Sequence, residues 1–323
     1  MKLIESKAEY IPQEEGLEGI YKVIELAGRT AYHSQDKITP DSAKDFVDRM
    51  IKSKHGAALE HGTVYLFYSV SCYDREGQKW VSKYESNPYS KVICVGVDDN
   101  EPSEDGNYYD LIGNEACGNE QYVITTNYRV LVENNWLDDL QYLCSPTEFH
   151  EKRYTMRFTC SRAIANELVR HRTMSFLQES TRYINYFKER HGGEITFIKP
   201  SWLNCSFEDI TESELCYLAN QYPQEVDGRR FLTSLVESEH AYMTLLQKGC
   251  TPQQARDALP NATKTELIIT GFASDWRHVM DLRLFGKTGA PHPDMIDLMQ
   301  KAQKAMQEAG IWEDIMSKPS KFE

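Results

Sequence analysis

The sequence predicts an α+β fold in which helices dominate, and three observations support this prediction. Apolar residues recur at helical spacing from Leu17 to Ala27 and again from Ala43 to Ile51. The segment from Thr63 to Val70 is instead rich in β-branched and aromatic residues, which is typical of a strand. The chain has 323 residues, of which 41% are hydrophobic, so it can bury a sizeable core.

The first third of the chain is predicted to run strand, helix, helix, strand. The first helical pattern stops near Gly28, and a glycine commonly follows the end of a helix. The second helix is predicted to begin with Thr39 as N-cap and Pro40 at its first position. Its stripe of apolar side chains has a period of about 3.6 residues.

Residues 72–143 differ in character from the rest of the chain, because Tyr, Asn, Asp and Gly become frequent. Two strand-like runs, Val92 to Val97 and Tyr122 to Val132, flank an acidic and turn-rich stretch from Asp98 to Glu120. We interpret 72–143 as a β-rich insertion, with a solvated mobile loop, inside one domain that spans residues 1–323.

The remainder is predicted to be mainly helical. One helix begins near Ser161, and another runs from Asp227 to about Lys248, before Gly249. Thr251-Pro252-Gln253-Gln254 has the pattern of a capping box. The last predicted helices run from about Thr265 to Phe285 and from Pro293 to Ala309.

Composition excludes several classes of function. The net charge is −13, whereas a protein that binds duplex nucleic acid usually carries a basic surface. No apolar run approaches the roughly 20 residues of a membrane helix, and the start lacks the apolar stretch of a secretory signal, so we expect a cytoplasmic protein. The eight cysteines form no C-x-x-C pair and are expected to be free thiols, and no H-E-x-x-H pattern predicts a metal site.

One segment, residues 170–183, concentrates cations in this acidic chain. It reads R-H-R-T-M-S-F-L-Q-E-S-T-R-Y and combines three arginines with a histidine and hydroxyl side chains. Guanidinium groups match phosphate and carboxylate oxygens bidentately, and hydroxyl and backbone N–H groups can complete an anion site. The alternative is a solvated charged surface neutralised by nearby carboxylates. We favour a site for a phosphorylated ligand, although neither a P-loop nor a G-x-G-x-x-G motif is present.

This segment resembles the R-H-R-x7-S signature of flavin-dependent thymidylate synthases, with Arg170-His171-Arg172 followed by Ser180. The continuation Ser180-Thr181-Arg182-Tyr183 and the approach Asn166-Glu167-Leu168-Val169 are also similar to that family. Three further stretches agree in order and spacing: His55 with Glu60-His61, Ala255-Arg256 with Leu259-Pro260, and Asp281-Leu282-Arg283. The resemblance implies a helix-rich domain with a mixed or antiparallel sheet.

The resemblance also implies roles for residues at matching positions. The residues expected to bind dUMP are Glu167, Arg170, Gln178, Glu179, Ser180, Thr181, Arg182, Arg256 and Arg283. The residues expected to bind FAD are His61, Thr63, Arg170, His171, Arg172, Gln178, Phe272, Ala273, Ser274 and His278. Arg283 is expected to be catalytic, because its charge against the uracil ring favours ionisation at N3.

The chemistry implied is reductive methylation of dUMP, with methylenetetrahydrofolate as carbon donor, NADPH as reductant and no protein nucleophile. A homotetramer with shared active sites is implied as well. The chain departs from the family at Leu177, Phe272 and His278, where Asn or another polar group is frequent. It also departs at Glu167, where Gln is common, and this would place a carboxylate near an anionic ligand unless Arg170 or Arg256 pairs with it.

Two other functions remain open at this point. A nucleotide hydrolase or phosphatase could use the same arginines and hydroxyls, but it would need a metal site or a general base, and it would release phosphate. A non-catalytic protein that binds pyrimidine nucleotides would bind dUMP without oxidising NADPH.

Overall fold

The computed structural model describes residues 1–71, 73–98, 119–182, 184–186, 193–203 and 228–322. The strands are β1 (Lys2–Ile4), β2 (Lys7–Ile11), β3 (Thr63–Ser71), β4 (Lys91–Asp98), β5 (Asn119–Asn127), β6 (Arg153–Ser161), β7 (Ser175–Gln178), β8 (Thr196–Ile198) and β9 (Lys264–Phe272). The helices are α1 (Gly16–Ala31), α2 (Ser42–Lys52), α3 (Gly56–Leu59), α4 (Arg75–Glu85), α5 (Tyr128–Asn134), α6 (Arg162–Leu168), α7 (Gly228–Gln247), α8 (Pro252–Ala255), α9 (Ala273–Arg283), α10 (Pro293–Glu308) and α11 (Trp312–Ser317).

These elements form two open antiparallel sheets and one parallel strand pair, which confirms the predicted α+β class. The larger sheet has the order β2-β6-β9-β7, and the smaller has the order β3-β5-β4. Strands β1 and β8 pair in parallel. In the larger sheet, β6 and β9 are central and run antiparallel from the pair Arg153 and Phe272 to the pair Ser161 and Lys264.

Three apolar cores hold the sheets and helices together. Helices α9, α10 and α11 cover one face of the larger sheet, where Trp276 and Phe158 are fully buried. Helices α1 and α2 pack with β3 and β5 around Ile24 and Leu66. Helix α7 packs with β8 around Phe197. The two sheets therefore meet near the ends of β3, β6 and β9, where the candidate site lies.

The predicted helix from Thr265 to Phe285 is wrong in its first half. Residues 264–272 form β9, and only 273–283 are helical. Strand β9 lies between β6 and β7, so its consecutive apolar residues Leu267, Ile268 and Ile269 are buried on both faces of the sheet. A short apolar run of this kind suits a central strand as well as a helix. The strands β6 and β7 were likewise missed in a region predicted to be mainly helical.

Other boundaries also differ from the prediction. Helix α1 continues past Gly28 to Ala31, because this glycine serves packing: a Cβ there would lie 2.4 Å from the Phe46 ring. Helix α2 begins at Ser42 rather than at Pro40, and the Thr39 N–H donates to Ser42 Oγ at 2.9 Å. The predicted strand to Val132 ends at Asn127, whose side chain caps α5 by accepting from the Val130 N–H.

Several predictions agree with the structure. Strand β3 and helix α10 match, Ser161 caps α6, and the capping box forms at Thr251. Within residues 72–143, β5 is the central strand of the smaller sheet, so this region belongs to the body of the fold. That it is an insertion stays a prediction. Most of its acidic loop, residues 99–118, lies outside the described residues, as do Asp227, Tyr183 and the cysteines 72, 117, 205 and 216.

In the described ranges, no helix combines the length and the apolar character needed to cross a membrane.

Candidate functional site

The arginine-rich turn begins where α6 ends. Helix α6 stops at Leu168, the His171 N–H donates to the Leu168 carbonyl at 3.3 Å, and the Met174 N–H donates to the His171 carbonyl at 3.1 Å. Met174 is buried in the core under the larger sheet and anchors the turn. The arginines therefore lie on a tight turn between α6 and β7, and not on the helix itself.

Arg170 and Arg172 are exposed on this turn. Over the described ranges, neither guanidinium forms a salt bridge, although the protein carries 49 acidic residues. A surface that merely neutralises nearby carboxylates would pair these cations with acids. The structure therefore favours the prediction that the turn presents its charge to an anionic ligand.

Arg283 lies at the C-terminal end of α9 and contacts the end of α6. Its Nη1 donates to Glu167 Oε2 at 2.8 Å, and its Nη2 donates to the Glu167 carbonyl at 3.0 Å. Its Nε donates to Nε2 of His171 at 3.3 Å, which requires a neutral His171 that carries its proton on Nδ1. Among the described residues, the salt-bridge partner of Glu167 is Arg283, and not Arg170 or Arg256, the two partners considered from the sequence.

Two more aromatic rings extend this group. His171 and His278 meet edge to face with centroids 5.9 Å apart, and Phe322 stacks on the opposite side of the group against His278 at 5.6 Å. Burial, and then the charge of Arg283, lowers the pKa of His171 to about 4. The buried Nδ1 atom of His278 has no hydrogen-bond partner in the part of the chain that the structure describes. We call Glu167, His171, His278 and Arg283 the Arg283 cluster.

His61 and Thr63 lie in a second group, at the start of β3. His61 is fully buried, and its Nδ1 is 2.8 Å from Thr270 Oγ1 on β9, whereas its Nε2 has no hydrogen-bond partner within the described ranges. Burial, and then the charge of Arg153, lowers the pKa of His61 to about 3. Thr63 is buried beside it and exchanges two backbone hydrogen bonds of 2.8 Å with the Gln13 side chain.

Sequence reasoning missed Arg153 in this second group. Its guanidinium is almost fully buried and donates to the Glu60 carbonyl at 3.2 Å and to Ser175 Oγ at 3.1 Å. It also lies over the Phe272 ring, 5.6 Å from the centroid. Burial lowers its pKa to about 10. A lone arginine at the start of a strand carries no sequence signal for this position. We call His61, Thr63, Arg153 and Phe272 the Arg153 cluster.

The strand–helix junction from Phe272 to Ser274 is largely satisfied within the chain. Asp275 Oδ2 accepts from the Phe272 N–H at 3.3 Å, while its Oδ1 accepts from Thr173 Oγ1 at 2.7 Å. Asp275 therefore ties the arginine-rich turn to the first turn of α9. Phe272 and Ala273 are buried, and Ser274 donates its hydroxyl to Glu151, so their contact with FAD stays a prediction.

The remaining predicted residues form a third group at the other end of β7. Gln178 Nε2 donates to Thr265 Oγ1 at 3.2 Å, and the buried Glu179 carboxylate lies 3.1 Å from Lys264 Nζ. The Ser180 N–H donates to the Ala31 carbonyl at 3.0 Å, and Thr181 is buried. We call Gln178, Glu179, Ser180, Thr181, Arg182 and Arg256 the Ser180 cluster.

Arg182 contacts α8, and Arg256 follows this helix directly. Arg182 Nε donates to Gln253 Oε1 at 3.4 Å, and Arg256 begins the turn that follows α8. Ser175 pairs with Thr270 while Gln178 pairs with Leu267, so the Ser180 cluster lies about 10 Å along β7 from the Arg153 cluster. The structure does not bring all predicted residues together into one set of mutual contacts.

A family model described as thymidylate synthase complementing protein matches residues 119–309, which is more than half of the chain. This range contains the arginine-rich turn, Arg153, Arg256 and Arg283. The chain belongs to the thymidylate synthase complementing protein family. The predicted resemblance is thereby confirmed.

Individual relatives match a shorter stretch. A flavin-dependent thymidylate synthase of Corynebacterium efficiens is 36% identical over 129 residues, which is 38% of this chain and 46% of that protein. One of Pyrococcus furiosus is 30% identical over 125 residues, 39% of this chain and 43% of that protein. The match therefore spans less than half the length of these relatives. The crystal structure of a UMP/dUMP methylase, PolB from Streptomyces cacaoi with 5-Br dUMP, shares 13% identity over 98% of this chain and 97% of its own, with a TM-score of 0.41.

Cysteine and metal chemistry find no support among the described residues. Cys94, Cys144, Cys160 and Cys250 are free, and burial raises the pKa of Cys160 to about 12 and raises that of Cys144. These shifts oppose formation of the thiolate that a nucleophile requires. The same residues contain no group of three or more His, Cys, Asp or Glu that could hold a metal ion.

Proposed function

We propose that this protein is a flavin-dependent thymidylate synthase that methylates dUMP at C5 with methylenetetrahydrofolate as carbon donor, NADPH as reductant and FAD as cofactor. The observation that carries the proposal is the pair of exposed guanidinium groups, Arg170 and Arg172, which have no carboxylate partner among the described residues and adjoin the Arg283 cluster. Family membership supports the reaction, and curated relatives carry this name.

The donor set suits a phosphorylated cofactor. FAD has two phosphates, and guanidinium groups bind phosphate through paired N–H donors. The buried Nδ1 of His278 and Nε2 of His61 lack partners among the described side chains, and each could serve a polar ligand atom. Bound FAD would supply the two electrons, derived from NADPH, that convert the transferred methylene into a methyl group.

The protein's own residues would then bind, orient and stabilise charge. Ser180, Arg182 and Arg256 would hold the dUMP phosphate, and Arg283 would lie against the pyrimidine ring. Because uracil C5 is a weak nucleophile, charge stabilisation on the ring favours its attack on the methylene carbon. The proton at C5 leaves as the methyl group forms, and tetrahydrofolate is released.

The visible spectrum of the purified protein is the most direct test. We expect a yellow protein, as isolated or after addition of FAD, that is bleached by NADPH more readily in the presence of dUMP. Formation of dTMP, with methylenetetrahydrofolate present, completes the test. A protein that stays colourless with saturating FAD contradicts the proposal. Phosphate release from dUTP or dUMP that depends on Mg²⁺ would indicate a hydrolase, and dUMP binding without NADPH oxidation would indicate a binding protein.

A further inference from the structure

The contacts of Arg283 are concentrated on one residue. Glu167 offers it two acceptors, a side-chain oxygen at 2.8 Å and its own main-chain carbonyl at 3.0 Å. Glu167 lies in the last turn of α6, where carbonyl groups have no partner within the helix. The Arg283 guanidinium therefore caps the C-terminal end of α6 through the Glu167 carbonyl and, at the same time, forms an ion pair with the Glu167 carboxylate. Because Nη1 and Nη2 both donate to Glu167 while Nε donates to His171, these three hydrogen bonds fix the plane of the guanidinium.

We propose that Glu167 is a positioning residue for Arg283, which it orients and whose charge it offsets beside the pyrimidine ring. This inference rests on the proposed function. A guanidinium has five N–H groups, and three of those on Arg283 are engaged within the chain, which leaves two for a ligand. The Arg283 side chain retains 22% exposure.

The carboxylate changes the electrostatics of the site. Besides burial, Arg283, His278 and Lys321 lower the pKa of His171, while Lys321, Asp281 and Asp275 act on the pKa of His278. Both histidines have a lowered pKa because they are buried, so Glu167 supplies the negative charge that Arg283 contacts. A member of the family with glutamine at this position would keep a side-chain acceptor but would leave Arg283 uncompensated. In this chain, Arg283 therefore stabilises a ring anion less strongly.

Glu167→Gln and Glu167→Ala separate orientation from charge. Glutamine keeps an oxygen for Arg283 Nη1 and removes the charge, whereas alanine removes both. The probe is 5-fluoro-dUMP, whose fluorine makes N3 more acidic than in dUMP, and ultraviolet absorbance against pH reports N3 ionisation in the complex. We expect Glu167→Gln to lower the N3 pKa of the bound probe by about one unit, a tenfold gain in affinity for the anion.

Glu167→Ala is expected to give a smaller shift, because Arg283 is no longer held in place. Its kcat for dTMP formation should fall at least several-fold below that of Glu167→Gln, with KM for dUMP changed little. The matched control is Glu9→Gln on β2, the edge strand of the larger sheet opposite β7. This change breaks a surface ion pair with Arg157 and should leave both readouts unchanged.

Equal N3 pKa values in the parent protein and Glu167→Gln overturn the charge offset. If Glu167→Gln and Glu167→Ala have equal kcat values and equal shifts in the N3 pKa of the bound probe, Glu167 does not orient Arg283. Failure of the parent protein to bind 5-fluoro-dUMP at all overturns the proposed function instead, so the two failures are distinguishable.

Discussion

One buried and one half-buried histidine illustrate how single residues in the site are held in one protonation state. His61 and His171 have pKa values lowered to about 3 and about 4, chiefly because burial disfavours the charged ring. The charges that lower each pKa further are that of Arg153 for His61, and those of Arg283, His278 and Lys321 for His171. Both rings are therefore neutral at neutral pH and can accept hydrogen bonds as well as donate them.

This neutrality makes stability depend on pH. The unfolded chain protonates each histidine below about pH 6.5, whereas the folded chain does so only near pH 3 to 4, so stability falls as pH drops through this window. Each histidine contributes a slope of up to about 1.4 kcal/mol per pH unit. Urea unfolding of the flavin-free protein at several pH values between 7 and 4.5 measures how the free energy of unfolding depends on pH. His61→Gln should flatten the profile, and His240→Gln, on an exposed position of α7, should leave it unchanged. Identical profiles for His61→Gln and the parent protein would exclude this source of pH dependence.

Arg283 is expected to dominate turnover. Arg283→Ala should reduce kcat on the order of 10²-fold, by analogy with loss of one preorganised donor at a developing charge. Stopped-flow or steady-state assays of dTMP formation measure it. Arg157→Ala is the control and should retain full turnover: it also removes a cation from an ion pair, but its partner Glu9 lies on the edge strand β2, at the opposite edge of the larger sheet from β7. An unchanged rate in Arg283→Ala removes this residue from the mechanism.

At the scale of elements, the junction between β9 and α9 organises the site. Strand β9 carries Thr270 against His61, and the helix that follows carries His278 and Arg283 to the end of α6. Arg283 lies about 16 Å along α9 from Phe272. Because Asp275 accepts from both Phe272 and Thr173, it joins this junction to the arginine-rich turn.

Loss of the Asp275 carboxylate should therefore act on both stability and cofactor affinity. Asp275→Ala is expected to cost about 1–2 kcal/mol of unfolding free energy, because a helix cap and a buried hydrogen bond are lost. It should also weaken FAD binding, measured by quenching of flavin fluorescence. Asp275→Asn keeps one acceptor and should show a smaller effect on both. If Asp275→Ala is destabilised while its FAD affinity is unchanged, the link between this junction and the turn is disproved.

The sequence located the arginine-rich turn and several of the elements around it, but it misassigned others. Repeated spacing identified α1, β3 and α10, and the R-H-R-x7-S signature located the turn. The alternation needed to recognise β9 was missing, since a central strand is apolar on both faces. The burial of Arg153 and the ion pair of Glu167 with Arg283 depend on segments far apart in the chain. Their proximity is a property of the tertiary fold, which local patterns do not encode.

For the whole molecule, the separation of the clusters is informative. The Arg283 cluster and the Ser180 cluster lie at different ends of β7, although both are expected to hold dUMP. The resemblance implies a homotetramer with shared active sites, and such sharing would let clusters from different subunits complete one site. We therefore propose that Arg256 and Arg283 of one subunit serve different sites.

Mixing of inactive variants tests this arrangement. Arg256→Ala and Arg283→Ala proteins, each inactive alone, should regain about a quarter of the parent activity when unfolded and refolded together, because random assembly restores that share of mixed sites. Light scattering should show a tetramer throughout. A double variant carrying both changes, mixed with the parent protein, controls for refolding losses. No recovery in the mixture would indicate sites built within single chains.

The buried indole of Trp276 gives the protein an internal optical reporter. It lies in α9 between Ser274 and His278, and its Nε1 donates to the Tyr154 carbonyl at 3.0 Å, which holds the ring in one orientation. Tryptophan emission overlaps the absorption band of oxidised flavins. Because Trp276 lies only two residues from His278 in α9, an isoalloxazine ring bound near His278 would quench the Trp276 fluorescence by energy transfer. With the other tryptophans replaced by phenylalanine, Trp276 would be the one remaining tryptophan fluorophore, and its quenching would report FAD binding in real time without a label.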